Sequence, residues 1–257
     1  RERTGRCRLV ALTHCSNVTG AVSDVARIVA AARAVGAKVM IDGAQRAPHG
    51  TLDVRALGID FYAFSGHKAY GPTGIGVLWG RREWLAAMPP FMTGGHMIDR
   101  VGLTEASFRA PPRRFEAGTP PIAAAVGLGA ALDFMQELDW QAIQGHELRL
   151  VRRLLDGLAA MKGVRVVGPL DTTDRGAVVT FAVDGFSPEA VCLHLDDHGV
   201  AMRGGYHCAQ PLFTALGVDG AARASFALYN LDGDVDALLE GLEDLIRHRG
   251  ARQPGSG

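Results

Sequence analysis

The sequence predicts an α/β protein, with a first unit built on a mostly parallel sheet and a smaller α+β unit after it. Three observations carry that reading. Short apolar runs alternate with helical patterns through the first half, two helical patterns follow one another in the middle, and strands and helices mix beyond them.

In order, Leu9 to Thr13 is an apolar run of strand length, and Val22 to Val35, closed by Gly36, has helical periodicity. Lys38 to Ile41, Phe61 to Phe64 and Ile75 to Trp79 read as further strands. Gly71, Gly74 and Gly76 let the backbone turn tightly and re-enter the sheet. Met88 to Pro121 is rich in Pro, Gly and Arg and lacks periodicity, so it reads as a long functional excursion. Helices follow from about Ile122 to Leu138 and from about Trp140 to Met161, the second with Leu148, Val151, Leu155 and Leu158 on one face. Val164 to Val167, Ala177 to Val183, Val200 to Arg203 and Ala222 to Leu228 then read as strands, and Pro188 to His198 and Asp232 to His248 as helices. The expected domains are residues 1–133 and 134–250, with 251–257 a flexible tail.

With 257 residues, 47% of them hydrophobic, the chain can bury a large core. Lys and Arg total 27 and Asp and Glu total 27, so no basic field exists to attract nucleic acid or an anionic membrane. The longest apolar stretch, Pro121 to Leu132, is too short for a membrane span and is broken by Gly127 and Gly129. No basic segment followed by an apolar run opens the chain, and its start at Arg1 rather than Met reads as a truncation. Cys7, Cys15, Cys192 and Cys208 show neither C-x-x-C pairing nor regular spacing, which argues against a disulfide framework or zinc knuckle and for a reducing cytoplasm.

The most informative segment is Phe61-Tyr62-Ala63-Phe64-Ser65-Gly66-His67-Lys68, in which a strand runs straight into small and polar residues and then a lysine. Ligands in open α/β sheets sit beyond the carboxyl ends of strands, so Lys68 stands where chemistry is done. Alone, a loop lysine is most often a solvated charge. A second strand ends in Asp42-Gly43-Ala44-Gln45, which alone is most often a turn. Together the two strand ends offer what pyridoxal-5'-phosphate (PLP) needs: a carboxylate for the pyridine nitrogen, phosphate donors, and an amine for a Schiff base.

These segments resemble the class V aminotransferase family of PLP enzymes, and specifically its SUF-type, group II cysteine desulfurases. The resemblance spans nearly the whole chain. It also rests on Ser16-Asn17-Val18-Thr19-Gly20, Ala69-Tyr70-Gly71-Pro72-Thr73-Gly74-Ile75-Gly76, Arg114-Phe115-Glu116-Ala117-Gly118-Thr119-Pro120, Arg203-Gly204-Gly205-Tyr206-His207-Cys208-Ala209-Gln210-Pro211 and Arg223-Ala224-Ser225. Tyr206 stands where many relatives have a second histidine, and Gly204 where they often have threonine. The N-terminal segment that members carry ahead of the strand near Leu9 is not in this sequence.

The resemblance implies fold type I of the PLP-dependent transferases, a large domain and a smaller C-terminal one carrying the Cys208 loop. It implies that Lys68 forms the Schiff base, Asp42 pairs with the pyridinium nitrogen and Gln45 bonds the ring hydroxyl. Ser65 and His67 would bind the phosphate, Asn17 would sit near substrate and cofactor, and Thr119 would reach the phosphate of the neighbouring protomer in a homodimer. Arg223, with Arg203 as second candidate, would hold the substrate carboxylate. Cys208, flanked by Gly204 and Gly205 in a segment read as mobile, would take sulfur from L-cysteine, leaving L-alanine, and pass it to a small acceptor protein of the SUF system for iron-sulfur assembly. A selenocysteine lyase or other class V lyase is the rival enzyme reading, and a catalytically silent fragment or interaction module the rival of another class.

The other cysteines read as structural. His194 and His198 have the i, i+4 spacing of a helical metal pair, but no glutamate follows the first and no third ligand is evident, so no metal is expected. His14, His49, His96 and His146 have no evident partner, with His49 and His96 candidates for the mouth of the site.

Overall fold

The computed structural model describes residues 7–251, so the tail expected over 251–257 lies almost wholly outside the described residues. Within them the chain forms two units, one of residues 7–14 and 24–138, the other of 15–23 and 139–251.

In the first unit, β1 (Leu9–Thr13) turns Val10 and Leu12 towards the core. α1 (Val25–Ala34) is capped by the Asp24 carboxylate, which accepts from the Arg27 amide at 3.0 Å, and the chain leaves it through Gly36 at φ 71°. It buries Val25, Val29 and Ala32 against β2 (Lys38–Asp42) and β3 (Phe61–Ser65), whose Val39, Ile41 and Tyr62 complete the core with Ile59. β1, β2 and β3 run parallel, and β4 (Gly76–Gly80) pairs antiparallel with β3. Only residues 66–75 join β3 to β4, too few for a parallel crossover. α2 (Arg82–Ala87) directly precedes the expected excursion, which contains a hairpin of β5 (Ile98–Val101) and β6 (Ala106–Phe108), and α3 (Ile122–Gln136) ends the unit.

In the second unit α4 (Trp140–Ala160) starts at Asp139, whose carboxylate accepts from the Gln141 and Ala142 amides. Its buried face is Trp140, Glu147, Leu150, Val151, Leu154, Leu155 and Leu158. Leu148, expected on that face, is half-buried at its margin, because Leu150 and Leu154 shift the stripe. β7 (Val164–Val166), β8 (Val178–Val183), β9 (Arg203–Gly205) and β10 (Ala221–Ser225) form an antiparallel sheet in the order β7-β8-β10-β9. α5 (Pro188–Asp196) and α7 (Asp232–Ala251) pack with α4 onto it around Phe181, Val191, Leu195, Leu238 and Leu242.

In this unit one expected strand is shortened and one helix is added. The strand placed at Val200 to Arg203 begins only at Arg203, since Val200 completes the turn after α5 by donating to the Leu195 carbonyl. α6 (Gln210–Leu216) went unread, being too short for helical periodicity to register. No helix among the described residues is long and apolar enough to cross a membrane.

Candidate active site

In the first unit the parallel register pairs Thr13 with Asp42 and Asp42 with Ala63, so three strands end at one edge of the sheet. His14, Asp42 and Ser65 stand there, and the backbone of His14 is tied to that of Asp42 at 2.8 Å. Neighbouring strands lie about 4.8 Å apart, so the Asp42 carboxylate and the Ser65–Lys68 turn are side by side. Asp42 is exposed, and its carboxylate accepts from the Ala44 amide at 2.9 Å, which turns the chain away from the sheet. Gly43 is required because a Cβ would fall 1.9 Å from the Tyr62 ring, which fills that space.

After β3 the backbone coils into a short 3₁₀ turn, Gly66–Lys68. Ser65 precedes it without its hydroxyl capping the turn, and His67 and Lys68 are exposed. Among the described residues, the side chains of Gln45, Ser65, His67 and Lys68 form no hydrogen bond or ion pair with the protein. An amine, a hydroxyl and an imidazole left unspent beside the exposed Asp42 carboxylate are the donor set that PLP requires, so the residues present fit it. Thr119 is exposed after Gly118, which has φ 84°.

His14, which the sequence left without a partner, puts its Nδ1 3.3 Å from the Tyr62 hydroxyl. Burial, and then the Arg46 charge, lower its pKa to about 4. His146 likewise finds a partner, the Asn230 carbonyl at 2.8 Å from its Nε2.

The second unit gathers Asn17, Arg203, His207, Cys208 and Arg223. Arg203 and Arg223 are direct cross-strand partners on β9 and β10, a like-charge pair that favours an anion beside it. Arg223 donates from Nη1 to the Asn17 carbonyl at 2.9 Å, while its Nε is buried without a hydrogen bond among the described residues. Burial, and then Arg203, hold its pKa below the usual arginine value. The Asn17 amide donates to the His207 carbonyl at 2.7 Å, so Asn17 links Arg223 to the Cys208 turn.

The segment read as a mobile loop is a tight turn between β9 and α6. Gly204 lies within β9, where a Cβ would meet the Pro188 carbonyl oxygen at 2.8 Å. His207 and Cys208 both have left-handed backbone, at φ 50° and 63°. His207 is 2% exposed, and its Nε2 donates to the Ala221 carbonyl at 3.0 Å. Its pKa is lowered to about 4, first by burial and then by Arg223, so the ring is neutral at pH 7. Cys208 is exposed, with Sγ 3.7 Å from Nη2 of Arg203. Cys15 is buried and Cys192 packs on the core, where burial raises its thiol pKa. Sequence reasoning missed His207; its signal was its place directly before Cys208.

A family model described as aminotransferase class-V matches residues 2–238. The chain is 49% identical over 243 residues to a cysteine desulfurase of Dickeya dadantii, covering 94% of this chain and 58% of that protein. It is 47% identical over 237 residues to a probable cysteine desulfurase of Mycobacterium leprae, covering 92% and 57%. The crystal structure of the cysteine desulfurase CsdA from Escherichia coli superposes with a TM-score of 0.90 at 42% identity, covering 95% of this chain and 60% of that one. The chain therefore spans less than two thirds of the length of each. From the match over residues 2–238 and the likeness in structure, the chain belongs to the class-V aminotransferase family and has fold type I of the PLP-dependent transferases.

Proposed function

We propose that the protein is a PLP-dependent cysteine desulfurase that converts L-cysteine to L-alanine and leaves a persulfide on Cys208. When bound, PLP supplies an aldehyde that captures the substrate amine and a protonated ring that withdraws electrons from its α-carbon. Lys68 would hold that aldehyde covalently and, once displaced, its amine would move the proton at the substrate α-carbon. Asp42 would keep the ring nitrogen protonated, Gln45 would donate to the ring hydroxyl, and Ser65 and His67 would hold the phosphate. Arg223, with Arg203 beside it, would hold the substrate carboxylate, and Asn17 would position both the substrate and Arg223.

Cys208 would attack the substrate sulfur as thiolate. An S–S bond forms as the C–S bond breaks, the C–S electron pair stays with the substrate carbon, and protonation there gives alanine. The observation that carries this reading is the exposed Cys208, presented in a left-handed turn and 3.7 Å from Arg203. A buried structural cysteine, the bland alternative, needs neither feature.

The working enzyme would be a homodimer in which Thr119 serves the neighbouring protomer's phosphate. Support comes from the excursion around it, where Phe91, Met92, Val101 and Leu103 are 93%, 63%, 67% and 106% exposed. A small SUF-type acceptor protein in a reducing cytoplasm would take the sulfur for iron-sulfur assembly. Cys208→Ser tests the reading. It should keep the PLP absorbance, lose persulfide formation from cysteine and retain alanine formation from selenocysteine, whose carbon–selenium bond is weaker. Sulfur release from cysteine at the original rate would refute the desulfurase and favour another class V lyase. Failure of the unaltered protein to take up PLP would favour a silent module.

A further inference from the structure

The histidine pair set aside in the sequence has a third ligand 46 residues beyond His198, on another helix: Asp244 of α7. We propose that His194, His198 and Asp244 bind a divalent transition-metal ion, Zn²⁺ above all, which staples the end of α5 to α7. Oδ2 of Asp244 lies 3.3 Å from Nε2 of His194 and 3.8 Å from Nε2 of His198, and the three ligand atoms all lie within 4.8 Å of one another. Tetrahedral zinc with bonds of about 2.05 Å holds its ligand atoms roughly 3.3 Å apart. The first distance already matches, and small rotamer adjustments close the others.

Several features prepare these atoms for a metal. Nε2 of His194 is cut off from water and has no hydrogen bond among the described residues, and it faces the Asp244 carboxylate, another proposed ligand, 3.3 Å away. Nδ1 of His198 lies 2.9 Å from the His194 carbonyl, which only accepts. That fixes the proton on Nδ1 and leaves the Nε2 lone pair for coordination, the usual outer-shell arrangement of a metal-bound histidine. Nδ1 of His248 sits 2.9 Å from the Asp244 carbonyl and 3.2 Å from its Oδ1, which leaves Oδ2 for the ion. Gly241 permits the approach, because a Cβ there would come 2.7 Å from Leu195 Cδ2 and 3.3 Å from His198 Cγ.

Two imidazole nitrogens and one carboxylate oxygen form a borderline donor set suited to Zn²⁺, Co²⁺ or Ni²⁺ rather than Mg²⁺ or Ca²⁺. The side chains of His194, His198 and Asp244 are 23%, 35% and 31% exposed, so an ion can enter and water can complete its shell. Five residues after His198 the chain enters β9 at Arg203, so an ion here braces the approach to the strand that carries Arg203.

The test is calorimetric titration of the full chain with Zn²⁺, with Co²⁺ as a spectroscopic probe, beside His198→Ala and Asp244→Asn. The unaltered protein should bind one equivalent, show the visible bands of cobalt held by nitrogen and oxygen, and melt at higher temperature with Zn²⁺ present. Each variant should bind at least about tenfold more weakly and lose the thermal shift, while keeping the metal-free circular dichroism and melting point. Cys7, Cys192 and Cys208 are common to all three proteins, so they cannot produce the difference. Equal Zn²⁺ affinity in the variants, or a sulfur-to-cobalt charge-transfer band in the unaltered protein, would overturn the proposal.

Discussion

Replacing Arg223 by lysine keeps the charge and removes the fork, which isolates what the guanidinium geometry contributes. Nη1 is committed to the Asn17 carbonyl at 2.9 Å, and Nε is buried with no hydrogen bond among the described residues. Nε and Nη2 thus remain for a bidentate grip on a carboxylate. A lysine ammonium that keeps the Asn17 bond has its remaining N–H groups diverging from one nitrogen, so it cannot meet both carboxylate oxygens in parallel and one charge-assisted bond is lost. Such a bond is worth about 1.5–3 kcal/mol. At ~1.4 kcal/mol per factor of ten, KM for L-cysteine should rise roughly 10- to 150-fold. The assay is alanine formation against cysteine concentration, with the urea unfolding midpoint of each protein measured in parallel. An unchanged KM at unchanged stability would refute the assignment and move the carboxylate anchor to Arg203, its cross-strand partner.

Borohydride reduction of the PLP-loaded protein followed by peptide mapping should place the pyridoxyl label on Lys68, and a label on Lys38 or Lys162 would overturn that role. Asp42→Ala should abolish turnover, since an ion pair keeps the pyridinium protonated better than water does; near-normal desulfuration with PLP bound would exclude it. Acid should destabilise the fold through His14 and His207, each with a pKa lowered from 6.5 to about 4. The unfolded chain takes up these protons near pH 6.5, and the folded chain refuses them until about pH 4. Stability present above pH 6.5 is therefore lost progressively down to about pH 4, by on the order of 3 kcal/mol for each ring. Urea midpoints measured across that window should fall less steeply in His14→Gln and His207→Gln, and profiles parallel to that of the unaltered protein would rule out the two rings as the origin of the acid sensitivity.

What the sequence reveals is what short-range pattern encodes. The runs ending at Thr13, Ile41 and Phe64 declare three strands, and each polar residue directly beyond them stands at the sheet's carboxyl edge because strand direction is fixed by the run itself. The half of the site that depends on pairing is less legible. The register that opposes Arg223 to Arg203 follows from the sheet order β8-β10-β9, which no local periodicity specifies. α6 spans seven residues, fewer than the stripe needed to declare a helix. The segment 15–23 belongs with residues 139–251 through Thr180, whose hydroxyl donates to the Val18 carbonyl at 2.5 Å across 162 positions. Asp244 was invisible as a partner of His194 for the same reason, since helix packing brings it there.

The backbone at Cys208 shows how the second unit sustains a conformation that its residue types disfavour. Two consecutive non-glycine residues in the left-handed region cost roughly 1–3 kcal/mol each. Three hydrogen bonds close on the turn: Asn17 to the His207 carbonyl, His207 to the Ala221 carbonyl and the Ala209 amide to the Tyr206 carbonyl. At about 0.5–1.5 kcal/mol apiece they offset much of that strain but do not exceed it comfortably. Burial of the His207 ring against Phe213 supplies the remainder, with centroids 5.9 Å apart, and this requires the ring to be neutral. The strain is thus maintained by contacts of His207, while Cys208 spends nothing inward and keeps its sulfur exposed beside Arg203. A thiol held outward in this way is what the proposed sulfur-accepting role of Cys208 requires.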